Sequence, residues 1–243
     1  MTAPWWAGPM LALDTETTGP NPDTARLVSV TADLYKPGSD DAASTMRLIV
    51  NPGVPIPAEA AEVHGITDER AQDEGIAPAD AVVQTIHRIE AAWSRGIPVV
   101  AYNAAFDLTV LAGEAMRHLN SVVTVSGPVI DPMVLDKAAD PYVKGANQRR
   151  LGPTCERYGI TVVDWHDATA DARAAALIAR AIGAKHAAKL PANLRDLWTY
   201  QKRARRAQAE SLTSYFERVG KTNDDGTPIV VDTAWPMREL VPA

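Results

Sequence analysis

The chain is poor in cysteine and has no long apolar run. Its one cysteine, Cys155, excludes an internal disulfide and a cysteine-rich zinc site, and such low cysteine content is typical of a reducing cytoplasm. No apolar stretch approaches the ~20 residues that span a bilayer, and no basic leader precedes an apolar segment at the N-terminus. These absences predict a cytoplasmic protein with no membrane contact.

An excess of positive charge is also missing. The chain carries 24 basic and 30 acidic residues, for a net charge of −6. Phosphate contacts favour lysine and arginine, so an acidic chain is an unexpected nucleic-acid binder unless divalent cations reverse the charge of an acidic site. Four cations do cluster over 202–206, and a looser basic group spans 137–150. Either group could contact phosphates, although such a run is more often a solvated helix face.

The 243 residues, 46% of them hydrophobic, suit one α/β domain with a modest appendage. Apolar and turn patterns predict strands over 10–14, 27–35, 46–50, 97–101 and 129–130. They predict helices over 79–94, about 106–118, 149–158, about 169–184 and about 193–219. This order indicates three antiparallel strands followed by parallel strands, in a mixed sheet flanked by helices. We expect a domain over 1–188, with a C-terminal amphipathic helix and an extended tail over 189–243 packing on it.

Two acidic residues end the first predicted strand. Asp14 and Glu16 are two positions apart, so their side chains share one face of a strand. Adjacent carboxylates repel unless a cation lies between them, and Mg²⁺ or Mn²⁺ prefers such oxygen ligands. A solvated strand end in which two acids happen to alternate is the alternative.

Two further segments combine acids with Asn or His. Asn103 and Asp107 follow the strand over 97–101, where ligands of α/β sheets gather; helix capping is the alternative. His166 precedes the Ala-rich helix that carries Asp171, and Asp167 could cap that helix.

The segments LALDTETTG, AYNAAFD and HDATAD resemble the three exonuclease motifs of the DnaQ-like family, in its DEDDh branch. The resemblance covers about residues 8–185 and includes His64-Gly65-Ile66-Thr67 and Val129-Ile130-Asp131. Tyr102 departs from the pattern, since relatives often have His there. The resemblance implies a ribonuclease H-like fold and a metal-dependent 3′–5′ exonuclease that releases nucleoside 5′-monophosphates.

The resemblance also implies roles for individual residues. Asp14, Glu16, Asp107 and Asp171 would hold two divalent cations, Mg²⁺ or Mn²⁺. His166 would take the proton from the attacking water, a role suited to its pKa near neutrality. The candidates for substrate binding are Thr15, Thr17, His64, Asn103 and Phe106. His64 is equally consistent with a turn residue, and Phe106 with a core residue.

The expected substrate is a single-stranded or frayed 3′ end, DNA rather than RNA. An exoribonuclease would need the same five catalytic residues and stays an alternative, as does a non-catalytic or polymerase-associated binding subunit. A DNA polymerase is therefore a possible partner. The Trp5-to-Pro9 segment and the Trp235-Pro236 tail resemble stand-alone exonucleases of high-GC Gram-positive bacteria and their phages. This implies a bacterial cell or a phage-infected host.

Overall fold

The computed structural model describes residues 3–145, 147–161 and 168–238. Within them the strands are β1 (Met10–Thr17), β2 (Leu27–Tyr35), β3 (Ala42–Ser44), β4 (Arg47–Ile49), β5 (Val99–Val100) and β6 (Val129–Ile130). They form one sheet in the order β3-β2-β1-β5-β6, and β4 also pairs with β2. β1 and β2 are antiparallel, whereas β5 pairs in parallel with both β1 and β6. The predicted mixed sheet is therefore confirmed.

The strand predicted over 46–50 is β4, and a further strand, β3, precedes it. β4 pairs with β2 from Ser29 to Thr31, and the unpredicted β3 pairs with β2 further along. The buried Asp33 carboxylate accepts a hydrogen bond from the Met46 backbone N–H between the two strands. The sequence before Met46 is short and polar, with no apolar alternation, so only its pairing with β2 makes it a strand.

The helices are α1 (Ala58–His64), α2 (Asp68–Glu74), α3 (Pro78–Trp93), α4 (Ala104–Leu119), α5 (Pro132–Ala139), α6 (Leu151–Arg157), α7 (Ala168–Lys185) and α8 (Leu194–Arg218). The sequence predicted α3, α4, α6, α7 and α8 to within about two residues. It missed α1, α2 and α5, because helices of seven or eight residues show little periodicity. α1 ends at His64 and is followed by Gly65, whose φ of 71° is the left-handed conformation that glycine adopts readily.

Helices cover both faces of the central strand β1. Leu11 and Leu13 join the core cluster that includes α3 and α4, whereas Met10 and Ala12 face α7. The small side chains of α7 let this helix approach the sheet closely, as Ala172 and Ala176 pack with Ala12. Strand alternation thus directs odd-numbered residues of β1 towards α4 and even-numbered ones towards α7.

The C-terminal helix α8 lies against β6 and α5. The buried Gln201 side chain donates to the Val129 carbonyl and accepts from the Asp131 backbone N–H. After α8 the chain returns along this helix, and the Trp235 ring packs 5.0 Å from that of Trp198. Among the residues that the structure describes, no helix is long and apolar enough to cross a membrane. The division between residues 188 and 189 stays a prediction.

Candidate functional site

Three carboxylates meet where β1 passes the start of α7. Asp14 and Glu16 occupy even positions of β1 and face α7, whose first turn carries Asp171. One carboxylate oxygen from each residue lies within 4.8 Å of the other two, and all three residues are half-buried. The tertiary structure therefore brings together residues that are 155 positions apart in sequence (171 − 16).

Asp107 approaches the same place from the other face of the sheet. It lies in the first turn of α4 and is only 4% exposed. Thr15, at an odd position of β1, donates a hydrogen bond from Oγ1 to Oδ1 of Asp107 over 2.8 Å. Asp107 is outside the 4.8 Å group among the described residues. Its charge nevertheless acts on Asp14.

The concentration of negative charge changes the acidity of these groups. Burial, followed by the charges of Asp107, Glu16 and Asp171, raises the pKa of Asp14 well above its ordinary value. Burial also raises the pKa of Asp107 to about 7, although the Thr15 hydroxyl opposes the shift. Both pKa values are raised, which means that the protein interior disfavours the ionised carboxylates. A bound cation would reverse this preference.

The start of α4 is held by the carboxylate of Asp131, the residue that follows β6. Asn103 takes the N-cap position with φ 70° and ψ 49°, but its side chain makes no cap hydrogen bond. The capping interpretation of Asn103 was therefore wrong. The buried Asp131 accepts instead from the backbone N–H groups of Asn103 and Ala104, both over 3.1 Å.

Asp131 also caps its own helix. It accepts hydrogen bonds from the N–H groups of Met133 and Val134 at the start of α5. The sequence indicates no role for Asp131 beyond its place in the family resemblance. The Asp131-Pro132 pair is a recognisable helix start and would have indicated the local cap, but not the reach to α4.

A cleft of about 480 Å³ opens beside the carboxylates. Four of the five predicted substrate-binding residues line it, together with Glu16: Thr15, Thr17, His64 and Phe106. The fifth, Asn103, is not among the lining residues that the structure describes. Phe106 also packs against the core, so its core and cleft interpretations are compatible.

His64 forms part of the cleft wall from the last residue of α1. Its Nδ1 accepts a hydrogen bond from the Ile66 backbone N–H over 3.2 Å, which stabilises the turn at Gly65. Burial lowers the pKa of His64, and the backbone of Thr17 partly opposes that shift. Burial therefore favours the neutral ring, and His64 serves the turn as well as lining the cleft.

The predicted proton acceptor, His166, lies outside the described residues, as does Asp167. Of the basic residues that precede them, Arg149 binds the Asp136 carboxylate over 2.6 Å and also donates to the Asp140 carbonyl. Its guanidinium is thus engaged in the fold, and a contact of the basic group over 137–150 with phosphates stays a prediction.

Comparison with known proteins identifies relatives over most of the chain. Residues 11–179 match the family described as Exonuclease (RNase T). A PolC-type DNA polymerase III of Streptococcus thermophilus is 29% identical over 68% of this chain and 10% of its own length. A DNA polymerase III subunit epsilon-like protein of Rhodobacter capsulatus is 33% identical over 59% of this chain and 20% of its own. The chain thus spans only a tenth to a fifth of these relatives.

Solved structures share the fold at low sequence identity. E. coli exonuclease I in complex with a dT13 oligonucleotide matches with a TM-score of 0.57 and 20% identity, over 72% of this chain and 41% of that one. Exonuclease I of Methylocaldum szegediense matches with a TM-score of 0.59 and 21% identity, over 86% and 46% of the two chains. The predicted ribonuclease H-like fold is confirmed.

Proposed function

We propose, from the premise that this chain belongs to the exonuclease family, that it is a metal-dependent 3′–5′ exonuclease acting on DNA. Membership of the family makes the domain a nuclease, a hydrolase of phosphodiester bonds. The polarity, the choice of DNA and the release of nucleoside 5′-monophosphates are the proposed part.

The observation that carries the proposal is the approach of the Asp14, Glu16 and Asp171 carboxylates to within 4.8 Å of one another. Burial, followed by the charges of Asp107, Glu16 and Asp171, raises the pKa of Asp14, so its ionised carboxylate is unfavourable without a counter-charge. All the donor atoms are hard oxygens, which suits Mg²⁺ or Mn²⁺ and disfavours softer metals. The residues present therefore fit a divalent cation site, with Asp107 as the fourth carboxylate.

The chemistry follows from what each residue does. Bound divalent cations would supply positive charge to the attacking and leaving oxygens of a phosphodiester. Asp14, Glu16, Asp107 and Asp171 hold that charge in place, and Thr15 orients Asp107 through its hydrogen bond. His166 accepts the proton of the attacking water. Because Glu16 lines the cleft, a terminal nucleotide bound between Thr17, His64 and Phe106 would have its phosphodiester beside the carboxylates.

DNA is the proposed substrate because the polymerase relatives are named as DNA polymerases and a structural neighbour was solved with dT13. RNA stays the alternative, since a contact that senses a 2′-hydroxyl would be needed to separate the two. Association with a polymerase is a second candidate, which the same relatives favour. A purely non-catalytic subunit is disfavoured because all four acids are present.

The test is a single degradation assay. Single-stranded DNA and RNA of one sequence, labelled at the 5′ or the 3′ end, are incubated with Mg²⁺ or Mn²⁺. We expect 5′-labelled DNA to shorten one nucleotide at a time, 3′-labelled DNA to release its label at once, and EDTA to stop both. Asp14→Ala should reduce the rate by at least about a thousandfold, whereas Asp73→Asn, an exposed control on α2, should not. Activity retained in EDTA or in Asp14→Ala would exclude the proposed mechanism.

A further inference from the structure

Helix α8 carries cations that the fold does not use. Lys202, Arg203 and Arg206 are exposed, and no described carboxylate lies within 4.0 Å of their side-chain nitrogens. The half-buried Arg205 between them donates instead to the backbone carbonyl of Asp232. This strongly basic stretch lies beyond residues 11–179, which match the exonuclease family.

Several other cations of this acidic chain are paired with carboxylates. Arg26 and Arg117 both bind the buried Glu114 carboxylate, over 2.8 Å and 2.6 Å, and Arg157 binds Asp136. The three exposed cations of α8 therefore differ from these in having no partner among the residues that the structure describes. With a net charge of −6 on the chain, they form a local positive surface.

Two of these cations line a cleft. Lys202 and Arg206 are one helical turn apart and so share a face of α8. They form one wall of a cleft of about 500 Å³, and residues 232–235 and 237 form the other. The acid in that wall, Asp232, is already bound: its carboxylate lies 3.4 Å from the Arg238 guanidinium and accepts from the Ala234 N–H. The net charge available to a ligand in the cleft is thus positive.

A short chain of contacts joins this cleft to the carboxylate site. Gln201, next to Lys202, accepts from the Asp131 N–H, and the Asp131 carboxylate binds the N–H of Ala104 at the start of α4. Asp107 follows within the first turn of α4. Next to the other wall, the Arg238 N–H donates to Thr109 Oγ1, two residues beyond Asp107. Residues adjacent to each wall are therefore connected by hydrogen bonds to the helix that carries Asp107.

We propose that the cleft between Lys202, Arg206 and the 232–237 segment binds backbone phosphates of the nucleic-acid strand that leads into the active site. This inference rests on the proposed function and adds a contact outside the matched family domain. Lysine and arginine supply the contacts that phosphates need. Because the chain as a whole is acidic, repulsion elsewhere would confine the strand to this positive path. The residues bind the backbone and not the bases, so the contact is independent of sequence.

The test measures binding separately from catalysis. The affinity of a fluorescein-labelled 15-nucleotide dT strand is measured by anisotropy in EDTA, at several salt concentrations. The variant is Lys202→Gln with Arg206→Gln. The control is Arg95→Gln with Arg203→Gln, which removes the same charge from exposed residues outside this cleft; Arg203 lines a different cleft, with Asp196 and Tyr200.

We expect the Lys202→Gln/Arg206→Gln variant to lose about tenfold in affinity. The slope of log K against log salt should fall by ~1.4, since each contact with a single strand contributes ~0.7. The control pair should keep both values near those of the unmodified protein. Equal losses in both pairs, or no loss in either, would overturn the proposal. An unmodified protein that binds the strand yet degrades none of it with Mn²⁺ would contradict the proposed function while the phosphate contact stood.

Discussion

Replacing the buried Asp107 by Asn should stabilise the metal-free protein at alkaline pH. Asp107 is 4% exposed, and burial raises its pKa from an ordinary value of 3.8 to about 7. The native state therefore holds the proton more tightly than the unfolded chain does. The stabilisation that this proton provides is complete below about pH 4 and is lost as the pH rises through about 7.

The size of the effect on the free energy of unfolding follows from the difference between the two pKa values of Asp107. The difference between 3.8 and about 7, at 1.36 kcal/mol per pH unit, corresponds to about 4 kcal/mol at pH 8. Asn has nearly the same shape, and its carbonyl oxygen can accept the hydrogen bond that Thr15 donates to Asp107. Asp107→Asn should thus raise the free energy of unfolding by about 2–4 kcal/mol at pH 8, and by less than about 2 kcal/mol at pH 5.

The assay is urea denaturation in EDTA at both pH values, followed by tryptophan fluorescence. Asp73→Asn, on the exposed side of α2, is the matched control and should change stability by less than about 0.5 kcal/mol. Adding Mn²⁺ should stabilise the unmodified protein, because the cation replaces the proton, and should stabilise Asp107→Asn less. The refuting results are no gain of stability in Asp107→Asn at pH 8, or an equal gain at both pH values. Either result would show that the buried charge of Asp107 does not lower the stability of the metal-free protein.

Three other substitutions test separate parts of the molecule. His166→Ala should slow hydrolysis by at least about a hundredfold yet keep the thermal shift caused by Mn²⁺; a lost shift would contradict its role as proton acceptor. Asp131→Ala leaves four backbone N–H groups without their acceptor. It should lower the free energy of unfolding, measured by urea denaturation, by about 3 kcal/mol or more; a loss below about 1 kcal/mol would refute the bridging role of Asp131. Leu197→Ala should cost about 2–5 kcal/mol if α8 packs on its own domain, whereas the exposed Leu212→Ala should cost less than about 0.5 kcal/mol; equal costs would contradict that packing.

The sequence predicted the parts of the site that depend on local geometry. Strand alternation places Asp14 and Glu16 on one face of β1, and this needs no knowledge of the rest of the fold. The long helices α3, α4, α7 and α8 were predictable because their apolar spacing repeats over several turns. The family resemblance then indicated that Asp107 and Asp171 belong with Asp14 and Glu16.

The helix α1 beside the first cleft and the tail that forms one wall of the second were not predictable from periodicity. α1, which carries His64, is seven residues long, and too few turns repeat for a periodic signal. The cleft beside Lys202 forms only because the tail returns along α8 to Trp235. The sequence showed the basic run but left open whether it was a solvated face, since nothing local tells which side of a helix adjoins another segment.

By itself, then, the sequence determined which acids share a strand face, where the long helices run and which family the motifs resemble. Only the tertiary structure decided that Asp171 comes within 4.8 Å of Asp14 and Glu16 and that Asp131, at the end of β6, caps α4. The physical reason is the range of the interactions. Side-chain periodicity acts over a few residues, whereas the close approach of α7 depends on small residues such as Ala172 and Ala176 meeting Ala12 across the sheet. That contact joins residues far apart in the chain, and it is what assembles the carboxylates.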